Sequence, residues 1–209
     1  MSVRVRIALV GSVVAWLCLL AWAGDDFTWD WRSQDVIGRT DPSLSNTSKL
    51  TEPERAALLD AVFLRLQKPM SERGYEDDRI REIAGTTRLR FLDLGEGKPV
   101  ILATPLGLEG GCDELANCPF WIFRHSEDGY VSLLDTVAAS YTIQPTSTDG
   151  YSDVVVARHV TARESKLTLY KISDSKYADA GCYTAIWTEA KEGEVPEPTI
   201  TPCEAESGK

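Results

Sequence analysis

Hydrophobic and polar positions follow two different periods along this chain, and the first is helical. Apolar residues recur at helical spacing shortly after residue 50, which gives one apolar face. These residues are Leu59, Val62, Phe63 and Leu66. Thr51 and Glu54 have the spacing of a capping box just before that face, and Pro53 lies in the first turn, where its missing N–H costs nothing. The pattern predicts an α-helix over residues 52–67 that ends before Pro69.

From Thr87 onward the period becomes that of β-strands, with short apolar runs separated by Gly, Asp, Ser and Pro. The predicted strands are 88–94, 99–104, 119–125, 130–135, 139–144, 153–158, 166–172, 177–179 and 182–188. The hairpins over 89–136 resemble those over 141–183, which indicates two meanders, although chance similarity between hairpins is the alternative. The predicted fold class is mainly β (α+β), with an N-terminal helix and antiparallel β meanders in a sandwich-like arrangement.

The ends of this region differ from it in composition. Residues 24–49 are polar and predict a flexible lead-in, within which alternating aromatic residues indicate a short strand at a sheet edge. The aromatic residues are Phe27, Trp29 and Trp31. Residues 189–209 are rich in Glu, Pro and Thr and predict an acidic tail. Residues 50–188 are therefore predicted to form a single helix-plus-antiparallel-β domain.

The first 23 residues have the pattern of a secretory signal peptide. Two arginines precede an apolar run over residues 7–20, and a small-x-small sequence ends at Ala23. We expect cleavage after Ala23 and an exported mature chain, periplasmic or extracellular, without a membrane span. An uncleaved anchor remains the alternative because the run approaches the length of a bilayer span. A lipid anchor at Cys18 lacks the small residue expected next to a lipidated cysteine.

The chain is acidic, and this limits its partners. Its formal net charge of −10 becomes −12 in the mature form, because residues 1–23 contain two arginines and no acidic residue. Such a charge argues against binding to nucleic acid or to an anionic membrane surface. A solvated exterior without any partner explains the charge equally well.

Export also determines how the cysteines are interpreted. Four cysteines remain after Ala23, and an even number in an oxidising compartment predicts two disulfides. Cys112 and Cys118 have five residues between them, which fits neither a zinc pair nor a C-x-x-C redox motif, so we expect them to bond to each other. Cys182 and Cys203 would then pair by proximity, although four cysteines allow three connectivities.

The Asp-Gly turns have too few acidic residues for a calcium site. Calcium loops of the D-x-D-x-D-G type have several alternating carboxylates, whereas the segment from Asp93 to Gly97 contains two acidic residues and the turn before Gly150 contains one. Asp-Gly is also a common hairpin turn. The sequence predicts no metal and no cofactor.

Candidate functional residues lie mainly on two connections. The chain has no G-x-S-x-G and no H-E-x-x-H motif. His159 and Glu164 are weak candidates for a general acid or base, and a hydrolase using His159 with Glu164 or Asp153 is one alternative function. The predicted binding residues are Asp113, Glu114, Trp121, Arg158 and His159.

Five segments of the chain, taken in order, resemble a family of uncharacterised exported bacterial proteins of the acidobacterial type. The segments are GCDELANCPFWIFR, DGYVSLLDT, TDGYSDVVVARH, ESKLTLYKI and CYTAIW. The resemblance covers about residues 89–187 and implies a compartment and a fold, but no activity. The chain is also weakly similar to FG-GAP-type repeats, but it departs from their motif at Asp93-Leu94-Gly95-Glu96-Gly97-Lys98-Pro99. This segment is one residue shorter than the motif and has fewer acidic ligands. The similarity therefore does not imply a calcium site.

The sequence therefore predicts an exported, non-catalytic binding or interaction module of the cell envelope, with an unknown protein or polymer as partner. Besides the hydrolase, an inhibitor of an envelope-directed enzyme is an alternative, since the loop over 112–118 is closed by the predicted disulfide and is a candidate for insertion into such an enzyme.

Overall fold

The computed structural model describes residues 27–95, 97–188 and 195–204. The predicted signal peptide and its cleavage after Ala23 lie outside these residues. Two helices and nine strands are described: α1 (Glu52–Ser71), α2 (Asp77–Thr86), β1 (Arg88–Asp93), β2 (Pro99–Thr104), β3 (Cys118–Ser126), β4 (Gly129–Ala138), β5 (Ser140–Thr148), β6 (Tyr151–Thr161), β7 (Glu164–Ser173), β8 (Lys176–Trp187) and β9 (Pro198–Pro202).

Helix α1 begins as its sequence predicts and ends later. The Glu54 carboxylate accepts hydrogen bonds from the backbone N–H of Thr51 at 2.7 Å and from its hydroxyl at 2.6 Å. The helix continues to Ser71 with Pro69 in its last turn, beyond the predicted end at residue 67. Pro69 has no N–H to donate to the Arg65 carbonyl, so one helical hydrogen bond is lost, and the helix ends two residues later.

The strands form two antiparallel sheets, and the predicted mainly-β, sandwich-like fold class is confirmed. One sheet has the order β1-β2-β3-β4 and the other the order β5-β6-β7-β8-β9, so each is a meander in chain order. The described part of the predicted tail contributes β9, which pairs with β8 between Tyr183 and Trp187. Both predicted disulfides are present, Cys112–Cys118 and Cys182–Cys203. The second bond lies just beyond the β8–β9 pairing.

Three apolar clusters define the layers of the fold. The first lies between the sheets and includes Leu102 and Ile122 from one sheet and Val154 and Tyr170 from the other. The second joins α1 and α2 to the outer face of the four-stranded sheet. The third lies on the outer face of the five-stranded sheet. Helices, two sheets and the N-terminal segment therefore stack in that order.

The N-terminal segment covers the outer face of the five-stranded sheet. Trp29 is buried there, and Phe27 stacks on Tyr183 with ring centroids 3.7 Å apart. Trp31 meets Trp187 edge to face at 5.2 Å. The segment lies across the sheet as coil and a short 3-10 helix, so the predicted edge strand over these aromatic residues is wrong. The outer sheet face is apolar and has to be covered, which explains why the segment packs against it instead of extending an edge.

Candidate binding site at one end of the sandwich

A cleft of about 640 Å³ opens at the end of the sandwich where the chain crosses from β4 to β5. Its walls come mainly from three segments, residues 36–39, 104–118 and 138–141, with Phe120 and His159 beside them. Most of its lining is apolar, and the residues concerned are Val36, Ile37, Leu106, Leu108, Phe120 and Ala138. We call it the apolar cleft. Its volume lies within the range of roughly 300–1,000 Å³ that is typical of ligand pockets in proteins.

The first wall is the loop that Cys112 and Cys118 close. Gly110 is required in this loop, because a Cβ at that position would lie 2.8 Å from the carbonyl oxygen of Leu106. Ala116 adopts a left-handed conformation with φ 62°. The disulfide and these backbone constraints fix the loop's shape before any ligand arrives.

Asp113 and Asn117 organise the same loop from within. One oxygen of the Asp113 carboxylate accepts hydrogen bonds from the N–H groups of Leu115 and Asn117, each at 2.9 Å. The other accepts from the Asn117 side-chain amide at 2.8 Å. The bond from the Asn117 side chain is the main reason why the pKa of Asp113 is lowered. Asp113 therefore acts as the acceptor at the centre of a turn.

The second wall, residues 36–39, is held by Arg90 of β1. The guanidinium binds both carboxylate oxygens of Asp41, at 3.1 and 2.9 Å, and donates to the carbonyl oxygen of Val36 at 3.1 Å. It also pairs with Asp35 and donates to the Tyr141 hydroxyl at 3.0 Å. A bidentate arginine fixes direction as well as distance, so this wall is also preorganised.

Burial and these contacts shift the pKa values of two members of the network. Burial alone would lower the pKa of Arg90, but its hydrogen bonds to Asp41 and Asp35 outweigh that effect and raise it. Burial raises the pKa of Tyr141 to about 12, although the neighbouring Arg90 acts in the opposite direction. At neutral pH, Arg90 is therefore a cation and Tyr141 a neutral phenol.

The mouth of the apolar cleft carries solvent-exposed apolar side chains. Leu108 is 63% exposed and Val36 is 53% exposed. Leu115 of the disulfide loop is 41% exposed. Charged groups at the rim include Glu114 and Arg39. Apolar side chains that surround an apolar cleft are characteristic of surfaces that bind a partner or a ligand.

Not all the predicted catalytic residues come together. His159 borders the apolar cleft, and its Nδ1 lies 3.1 Å from the Ser165 hydroxyl. Glu164 directly precedes Ser165 on β7, so the two side chains point to opposite faces of the sheet. Asp153 lies six residues from His159 along β6, buried, and accepts hydrogen bonds from the hydroxyls of two threonines. Among the described residues, no hydrogen bond or ion pair links the His159 ring to a carboxylate.

The predicted binding residues separate into three places. Asp113, Glu114 and His159 line the apolar cleft. Arg158 is exposed and lines a different, smaller cleft. Trp121 is only 2% exposed, and its indole N–H donates to the Asp135 carboxylate at 2.9 Å in the layer under the helices. The side chain of Trp121 is therefore buried, because strand alternation turns it toward α1.

Within the part of the chain that the structure describes, no group of three or more His, Cys, Asp or Glu side chains is placed to hold a metal ion. Across the same residues, no helix is both long enough and apolar enough to cross a membrane.

Comparison with protein-family models, with curated proteins and with solved structures finds no match to this chain.

Proposed function

We propose that this chain is an exported, non-catalytic binding module of the cell envelope, and that its apolar cleft takes up an apolar side chain or chain segment of a partner. The observation that carries this proposal is the cleft itself. It has an apolar lining, and exposed Leu108 and Val36 stand at its mouth.

Preorganisation of the cleft supports the proposal. The Cys112–Cys118 bond fixes one wall, and the ion pairs of Arg90 fix the opposite one. A ligand that enters a preformed cleft does not have to order loops, and that ordering is a major cost of binding. The burial of apolar surface then contributes directly to affinity.

Two disulfides favour a location outside the cytoplasm. Disulfides persist in oxidising compartments such as the periplasm and the extracellular space, and they are rare where thioredoxin and glutathione keep thiols reduced. Together with the signal-peptide pattern of residues 1–23, they support a periplasmic or extracellular mature protein.

A hydrolase is less well supported by the geometry. The contact between His159 and Ser165 is the one observation in its favour. An activated serine needs a histidine that a third group orients, usually a carboxylate. Glu164 projects to the other face of the sheet, and Asp153 is engaged elsewhere. The inhibitor alternative uses the same disulfide loop and is a special case of the binding proposal.

Site-specific photo-crosslinking in intact cells tests the proposal. A photoreactive residue at position 108 is expected to give a discrete adduct with an envelope component. The matched control is position 64 on α1, because Leu64 is 66% exposed and Leu108 is 63% exposed, whereas Leu64 lies outside the cleft. Adducts of equal yield at both positions, or no adduct at 108, would contradict the proposal.

A further inference from the structure

A second cleft lies beside the apolar cleft, since Val137 and Arg158 in its lining directly precede Ala138 and His159 in the lining of the apolar cleft. Its volume is about 290 Å³. The polar residues that line it are Thr136 from β4, Arg158 from β6, and Lys166, Thr168 and Tyr170 from β7. We call it the cationic cleft, because both charged side chains in its lining are positive in a chain whose formal net charge is −10.

The two cations of this cleft are direct neighbours across a strand pair. Arg158 on β6 is in register with Lys166 on β7, so the two side chains leave the same face of the sheet. Residues opposite each other in this way have Cβ atoms about 5 Å apart, and like charges at such positions are destabilising. Both side chains are exposed at the end of the sandwich.

Among the described residues, no carboxylate forms a salt bridge with Arg158 or Lys166. Arg158 acts on Asp113 electrostatically and lowers its pKa. The two positive charges therefore face each other without a salt bridge from the described residues. An anion placed between the two would remove the repulsion and add two charge-assisted hydrogen bonds.

Hydroxyl groups complete the cleft. The Thr136 and Tyr170 hydroxyls lie 3.0 Å apart, and Thr168 provides a third. Burial and the nearby charge of Asp179 raise the pKa of Tyr170, so its hydroxyl keeps its proton at neutral pH. Asp179 hydrogen-bonds to Tyr170, but it lines a neighbouring cavity and not the cationic cleft. The cleft therefore offers two cations beside neutral hydroxyl groups, of which those of Thr136 and Tyr170 already hydrogen-bond to each other.

We infer that the cationic cleft binds one oxoanion. The ligand is either a free inorganic phosphate or sulfate, or a phosphate, sulfate or carboxylate group carried by an anionic polymer. This inference does not depend on the apolar cleft, because Arg158, Lys166, Thr136, Thr168 and Tyr170 are not part of the apolar cleft's lining.

Calorimetric titration of the disulfide-bonded protein with inorganic phosphate, at constant ionic strength and neutral pH, tests the inference. Saturable binding at one site is expected, and Arg158→Gln and Lys166→Gln should each weaken it about tenfold or more, since each removes a charge-assisted bond. Lys176→Gln is the matched control, because Lys176 is an exposed lysine of the same sheet that lies outside the cationic cleft. A second titration, with polyphosphate, distinguishes a free anion from a group on a polymer. If the protein binds polyphosphate more tightly than phosphate, and both variants lose this affinity, the ligand is a polymer.

Urea unfolding in a chloride buffer without phosphate, sulfate or carboxylate gives an independent measurement. Removal of either opposed cation is expected to raise the midpoint, whereas Lys176→Gln leaves it unchanged. Phosphate should raise the midpoint of the wild type more than that of either variant. Absence of saturable binding of both phosphate and polyphosphate, or an equal loss of affinity in Lys176→Gln, would overturn the inference.

Discussion

The side-chain amide of Asn117 hydrogen-bonds to both backbone groups of His159. Its Oδ1 accepts from the His159 N–H at 2.7 Å, and its Nδ2 donates to the His159 carbonyl oxygen at 2.9 Å. A side chain thus takes the position that a neighbouring strand residue would occupy. Asn117 is only 1% exposed, and it links the disulfide loop to β6 beside both clefts.

Replacement of Asn117 should destabilise the protein and loosen this link. Asn117→Ala leaves buried polar groups without partners, a loss of about 1–3 kcal/mol in the free energy of unfolding. Asn117→Asp keeps the shape but replaces the Nδ2 donor with an oxygen that faces the His159 carbonyl, so it should also destabilise. Urea unfolding measures the first effect, and hydrogen exchange at the His159 amide measures the loss of the local bond.

Asn46→Ala is the control for this prediction, because Asn46 is exposed in a short 3-10 helix away from both clefts. The interpretation of Asn117 as a backbone-like link fails if Asn117→Ala and Asn46→Ala unfold at the same urea concentration and His159 exchanges at an unchanged rate.

Tyr141 should make stability depend on alkaline pH. Burial raises its pKa to about 12, whereas an unfolded tyrosine titrates near about 10. The native state therefore holds the proton that the unfolded state releases between these values, and stability falls as the pH rises through that window. Below about pH 10 both states are protonated, so the contribution of Tyr141 is fully present there.

The variant Tyr141→Phe tests this dependence. It removes the titrating group, so its free energy of unfolding should fall less steeply than that of the wild type between about pH 10 and 11. Within that interval the linkage of these two pKa values amounts to about 1 kcal/mol, which is accessible to urea unfolding. Parallel slopes for the two proteins would show that Tyr141 is not the source.

Local signals in the sequence identify much of the secondary structure. The capping pair Thr51 and Glu54 sets the start of α1, and the Asp-Gly turns set the hairpins. The spacing of Cys112 and Cys118 is enough to pair them. These features depend on residues close together in the chain, where short-range geometry decides the outcome.

The clefts depend on contacts between distant residues, and sequence patterns do not contain this information. The apolar cleft joins residues 36–39 to residues 104–118 and 138–141, so its existence follows from how the layers stack. The opposition of Arg158 and Lys166 depends on the register of β6 with β7. A weak signal for the apolar cleft does exist, since Leu106 and Leu108 are apolar residues in a glycine-rich connection, where solvent-facing positions are usually polar.

The central claim is that the apolar cleft is a preformed binding site, and titration with the neutral apolar fluorophore N-phenyl-1-naphthylamine tests it most directly. Wild type should show saturable fluorescence enhancement. Leu108→Glu should bind about tenfold more weakly, because a carboxylate at the mouth has to be desolvated as the probe enters. Leu64→Glu changes a leucine of similar exposure on α1 and should bind like the wild type. An enhancement that does not saturate, or an equal loss in both variants, would contradict the account.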